Sequence, residues 1–150
     1  MRVLVVGTDD WAIDQAVAAL EAAGDVPLRC HDSGQPAFPC HRFSGGRCPV
    51  DDGVDVVLTV RGRVTPEPLP GELGVLCGLR GRIPLVVAGF ASPNPFSKVT
   101  AATVRSDEDL VAVCEAAVRR VIDLRPVAHL DARPVTEPET TGSRTNHGLP

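Results

Sequence analysis

Continuous apolar runs, separated by polar and glycine-rich turns, set the pattern of this chain. Arg2 to Val6 carries Val-Leu-Val-Val and stops at Gly7. A run so rich in β-branched residues, with no polar alternation, predicts a strand buried on both faces, as in a parallel sheet. Asp9 or Asp10 can cap the helix that follows, in which Ile13, Ala16, Val17, Leu20 and Ala23 recur at helical spacing before Gly24 stops it. Val26 to Arg29 predicts a second strand and completes an early βαβ unit. Val54 to Val60 and Ile83 to Ala88 predict two more strands, and Lys98 to Val104 a fifth. Between the third and fourth, Leu69, Leu73, Leu76 and Leu79 predict a helix over 67–80. Gly71, Gly74 and Gly78 weaken it, each by about 1 kcal/mol against alanine. A last helix starts at the cap Ser106, with Asp107, Glu108 and Asp109 in its first turn and Arg119 and Arg120 near its end, as the macrodipole favours. Its buried stripe is Leu110, Val113, Cys114, Ala117 and Val121.

These elements predict one α/β domain over 1–125, a three-layer, mostly parallel sheet of flavodoxin-like type. After it the chain turns polar, with Pro126, Pro134 and Pro138, and residues 126–150 are expected to be a disordered tail. Residues 30–53 have no period and hold three prolines and three of the five cysteines. This long Cys/His loop stands where the second helix of such a fold belongs, and a loop of that length inside a compact domain is expected to be either functional or disordered.

Composition narrows the function classes. A net charge of −4 leaves no broad basic face for phosphates, and one Trp, four Phe and no Tyr give no stacking platform for bases, so nucleic acid is not an expected partner. No segment reaches the roughly 18–20 apolar residues that span a bilayer, and the apolar start is too short for a signal peptide. The expectation is therefore a cytoplasmic chain with no membrane partner, whose thiols stay reduced.

The stretch Arg2-Val-Leu-Val-Val-Gly-Thr-Asp9-Asp10, running on to Leu20-Glu-Ala-Ala-Gly24, resembles the opening of response-regulator receiver domains. Val54-Asp-Val-Val-Leu-Thr59-Val-Arg61 looks like the family's third strand, and Ile83-Pro-Leu-Val-Val-Ala-Gly89 is similar to its fourth. The resemblance implies a phosphoacceptor aspartate at the end of the third strand, where this chain has Thr59. A hydroxyl cannot form the acyl phosphate or supply the Mg²⁺-binding carboxylate, so the likeness implies a degenerate, pseudo-receiver domain. Lys98 lies near the family's fifth-strand lysine, with no Lys-Pro pair. The segment from Phe90 to Ser97 is too short for a crossover helix. Asp9, Asp10, Thr59 and Arg61 remain candidate ligand-binding residues, because open α/β sheets bind ligands at the carboxyl ends of their strands. The bland role of the two aspartates is helix capping.

The loop carries the candidate chemistry. Cys30-His31, Cys40-His41 and Cys48 fall in a Cys-x9-Cys-x7-Cys spacing. Three thiolates and an imidazole are an accepted zinc set, and Pro39 and Pro49 stiffen the backbone beside two of the thiols. The expected ligands are Cys30, Cys40, His41 and Cys48, with His31 in reserve; zinc ranks ahead of an iron–sulfur centre, and no Cys-x2-Cys knuckle is present. Cys77 and Cys114 are expected in the core. No hydrolase motif is visible, and His31-Asp32-Ser33, being consecutive, cannot face one another as a triad must. The chain thus reads as a non-enzymatic regulatory or interaction module with a structural zinc site in the loop, its partner another protein or a second copy as a homodimer. Its alternatives are a thiol redox sensor and a small-molecule-binding flavodoxin-like domain.

Overall fold

The computed structural model describes residues 1–124 except 33, 38, 39, 41, 44, 106 and 107, and of 122–124 only the backbone. Five strands, β1 (Arg2–Gly7), β2 (Val26–Arg29), β3 (Val56–Arg61), β4 (Leu85–Gly89) and β5 (Thr100–Thr103), form one sheet in the order β2-β1-β3-β4-β5. Every pairing is parallel, with Leu4 beside Leu28 on one side and Val57 on the other, and Val57 beside Leu85. This is the flavodoxin-like order, in which the connections diverge between β1 and β3 and leave a crevice at the strands' carboxyl ends.

Alternation along the strands sorts the core into two layers. Val3, Val5, Val56, Leu58, Val60 and Val86 face α1 (Asp10–Ala22) and α3 (Leu110–Leu124), meeting Ile13, Leu20, Cys114 and Ala117. Leu4, Val6, Val57, Leu85 and Val87 face the other way, onto Val75 of α2 (Gly74–Arg80) and onto Phe96. Burying each such side chain is worth about 1.5–3 kcal/mol, so both faces are driven shut.

The α2 region departs from the leucine stripe the sequence predicts. A short 3₁₀ turn, Pro70–Glu72, precedes α2, and the inward residues are Gly71, Glu72, Val75 and Gly78, while Leu73 and Leu76 are exposed. The glycines are the reason. A Cβ on Gly71 would stand 1.9 Å from the Gly7 carbonyl oxygen, and one on Gly78 would stand 2.2 Å from a Val57 methyl. They let a short helix lie directly on the sheet, a gain that outweighs their poor helix propensity.

Other boundaries shift modestly. β3 begins at Val56 and runs through Arg61, and β5 begins at Thr100, leaving Lys98 exposed in a turn. α3 begins at Leu110, where Asp109 Oδ1 accepts from the Val111 and Ala112 amides at 2.9 and 3.4 Å. Asp109 thus caps this helix, and the predicted cap, Ser106, lies outside the described residues, as does the predicted tail. Between β4 and β5 the chain crosses without a helix. Phe96 fills the helix's place in the core, and Asn94 braces the turn by accepting from the Phe96 amide and donating to Thr100 Oγ1. Between β2 and β3, the regular structure among the described residues is one 3₁₀ turn, Pro49–Asp52. No helix of the described residues is long and apolar enough to cross a membrane.

Candidate functional site

β2 ends at Arg29, so Cys30 leaves the sheet at its carboxyl edge on the α2 side. Described residues of the following loop lie beside α2 and border with it a partly open cavity of about 220 Å³. Cys30, Cys40 and Cys48 all line it, and so does Cys77, which α2 presents from the opposite wall. The remaining walls are mainly apolar: Pro49 and Ala37 from the loop, Pro70 and Leu73 above, Leu76 beside Cys77. Two of the leucines that the sequence places in the core, Leu73 and Leu76, thus line this cavity, while Leu79 packs against the core.

Cys30 and Cys77 are near neighbours. A Cβ on Gly74 would come within 3.0 Å of the Cys30 sulfur, and Gly74 and Cys77 share one face of α2 three residues apart. Cys48 and Cys77 also border a second, adjoining hollow with Arg42 and Arg80. Burial, and then the nearby Cys77, Cys48 and Cys40 thiols, push the Cys30 thiol up to about 12. Burial first, and Cys48 and Cys40 after it, raises Cys77 as well. Both shifts favour the protonated thiol at Cys30 and Cys77, whereas a cation that takes thiolates would draw their protons off.

The expectation that Cys77 is core is corrected: its side chain is exposed and faces the cavity. Cys114 is buried in α3 on the other face of the sheet, as its stripe predicts. His31 also lines the cavity, and its Nδ1 is buried with no hydrogen-bond partner among the described residues. His41 lies outside the described residues. Among the described residues, no three His, Cys, Asp or Glu side chains are grouped tightly enough to hold a metal ion. The loop is anchored at its far end by ion pairs, Arg42 with Asp51 and Arg47 with Asp52.

The strand-end candidates are placed differently. Asp9 N-caps α1, its Oδ1 accepting from the Ala12 amide at 3.1 Å, and Asp10 is the exposed first residue of that helix. Thr59 is fully buried in β3, its Oγ1 without a partner among the described residues. Arg61 is buried too, and its guanidinium is spent internally. Nε donates to Glu72 Oε1 at 2.7 Å, Nη1 to the Pro93 carbonyl at 2.6 Å and Nη2 to the Thr65 carbonyl at 2.8 Å. Glu72 Oε2 in turn accepts from the Leu69 amide at 2.8 Å. This knot ties three carboxyl-edge segments together and fixes the turn that carries α2, and with it Cys77.

Sequence reasoning misses Cys77 and Glu72. The signal for Cys77 was its half-turn offset from Val75, a fully buried residue two positions before it, but the leucine spacing pointed to the wrong face. Comparison with known proteins gives no match, either to a protein-family model or to a curated protein.

Proposed function

We propose that this chain is a non-enzymatic regulatory module on a flavodoxin-like frame, whose loop is clasped by a soft metal through Cys30, Cys40 and Cys48. One observation carries the reading: three thiols scattered along an aperiodic segment all open into the same cavity. Thiolates select soft and borderline metals, and ligation would supply the cohesion that a loop without regular structure lacks. The non-enzymatic part is supported by the strand ends, where Asp9 caps a helix, Arg61 is internally satisfied and Thr59 is buried; on the receiver resemblance, Thr59 would stand in place of the phosphoacceptor carboxylate. A pseudo-receiver role, with another protein or a second copy as partner, fits strand-end side chains that are engaged within the chain.

Elemental analysis by plasma mass spectrometry on tag-free protein tests the proposal. Stoichiometric thiophilic metal in the native chain, lost in Cys40→Ser and Cys48→Ser, is the expected result. A fully folded chain that takes up no metal would falsify it.

A second reading, a pocket for a small apolar ligand, is favoured by the mainly apolar walls. It predicts stabilisation by a hydrophobic compound, in a thermal-shift screen, that is indifferent to the Cys40 and Cys48 substitutions. Use as a thiol sensor is less well served, because a thiol held up at about 12 offers little thiolate for reaction with an oxidant.

A further inference from the structure

We infer that this cavity binds a small neutral phenol, a single aromatic ring whose hydroxyl bonds to His31; this rests on the small-ligand reading above. The space fits one substituted ring. An apolar cavity of about 150 Å³ holds benzene. At about 220 Å³, this one has room for the ring and a few substituent atoms. Its place in the fold suits a ligand too. Pro70 and Gly71 line it, and Gly71 packs on the carbonyl of Gly7, the last residue of β1. The connections diverge beside β1, and open α/β sheets take ligands outside the strand ends at that point.

The lining selects a neutral aromatic. Its walls are mainly apolar, so an ion placed there loses hydration with little in return. Arg42 borders the cavity but is already paired with Asp51. Burial pushes the Cys30 thiol up to about 12 and raises Cys77, which favours the uncharged form of both. Uncharged sulfur is polarizable and packs well against an aromatic ring. Cys30, Cys40, Cys48 and Cys77 all border this space. Leu73 and Leu76 line it and are also exposed, so a bound ring covers apolar surface that water now wets.

His31 supplies the polar contact. It lines the cavity, and its Nδ1 is buried with no hydrogen-bond partner among the described residues. Leaving such an atom unpaired is costly, and a ligand's hydroxyl removes the cost. A hydroxyl both donates and accepts, so it satisfies Nδ1 whichever ring nitrogen carries the proton.

The test is calorimetric titration of the full chain with four probes. They are para-cresol, toluene without the hydroxyl, para-toluate with a charge, and methylcyclohexanol as the saturated analogue. Para-cresol is expected to bind saturably, methylcyclohexanol more weakly and para-toluate not at all. In His31→Leu the ratio of para-cresol to toluene affinity falls about tenfold, as loss of one buried hydrogen bond implies. His31→Asn, whose amide can reach the place of Nδ1, keeps much of that ratio. A measurement on the unmutated chain locates the site. Cys77 is exposed and lines the cavity, so saturating para-cresol slows its labelling by a maleimide, read by peptide mass mapping. An unchanged ratio in His31→Leu, with toluene still protecting Cys77, overturns the phenol and leaves the apolar pocket standing. So does methylcyclohexanol binding as tightly as para-cresol. Preferred binding of para-toluate overturns the neutral ligand. Binding of neither para-cresol nor toluene, with Cys77 labelled at its free rate, overturns both the phenol and the pocket.

Discussion

Arg61 shows how much a single buried charge commits around it. Both it and Glu72 are removed from water, and the guanidinium's other donors go to carbonyls of two further loops. Such a pair adds little net stability over an apolar substitute of the same size, but losing one member leaves a bare charge in the interior. Glu72→Ala is therefore expected to destabilise the chain by about 3–5 kcal/mol, read as a drop in the urea midpoint. Arg61→Met combined with Glu72→Leu should recover much of that loss, because no unpaired charge remains. If the double variant is no better than Glu72→Ala, the cost lies in the hydrogen bonds to the loops and not in the charge. From the sequence, Arg61 was visible as the polar end of an apolar run, which suggested a ligand. Its real partner was not visible, because Glu72 reaches it only through the path of the intervening turn and nothing in local spacing encodes that path.

Helix α2 rests on close approach, not on apolar bulk. Its seven residues, Gly74–Arg80, are too few to be stable alone, so its place is set by contact with the sheet. Gly78 lies against Val57, and alanine there would gain about 1 kcal/mol in helix propensity while forcing a methyl into a Val57 methyl. Overpacking should win, and Gly78→Ala is expected to cost about 1–3 kcal/mol in denaturant unfolding. Adding Val57→Ala opens the space that the new methyl needs. The double variant should then be less destabilised than the two single changes summed, a coupling that additive behaviour would refute. The same element explains what the sequence reveals and what it hides. Strands β1 and β4 are legible because a doubly buried strand needs an unbroken apolar run rich in β-branched residues, which Val3 to Val6 and Leu85 to Val87 provide. For α2 the usual rule reverses. Leu73 and Leu76 look like a core stripe and are exposed cavity wall, while the residues that touch the sheet are glycines, which hydrophobic periodicity does not count. Once the helix face was misassigned, Cys77 was misassigned with it.

Taken as one body, the molecule keeps its thiol chemistry on one side of the sheet and a lone thiol on the other. The α1/α3 face is closed by Cys114, fully buried among apolar neighbours, while the α2 face carries the cavity with its four cysteines. That division was only partly legible: the apolar runs announced a two-sided sheet, and the loop's three cysteines marked the segment that lines the cavity. The chain crossings, which decide which loop meets which helix, are settled by contacts remote in sequence. The division gives Cys114 a separate signature in the pH dependence of stability. Burial first, and the Asp25 carboxylate second, push its thiol from 9.0 up to about 12. Below pH 9 the thiol is protonated in both folded and unfolded chains and stability is unaffected. Above it the unfolded chain loses the proton while the folded chain keeps it, so the unfolded state is favoured as pH rises. Between about 9 and about 12, this residue alone should lower unfolding free energy by up to about 1.4 kcal/mol per pH unit. Cys114→Ala removes the titrating group and should fall less steeply than the parent across that window, after a small loss at neutral pH from the missing sulfur. Urea unfolding at neutral pH and again midway through the window measures both effects. Parallel slopes in the two proteins would mean that the Cys114 thiol ionises as readily folded as unfolded, and that the α3 face is not the dry layer its packing describes.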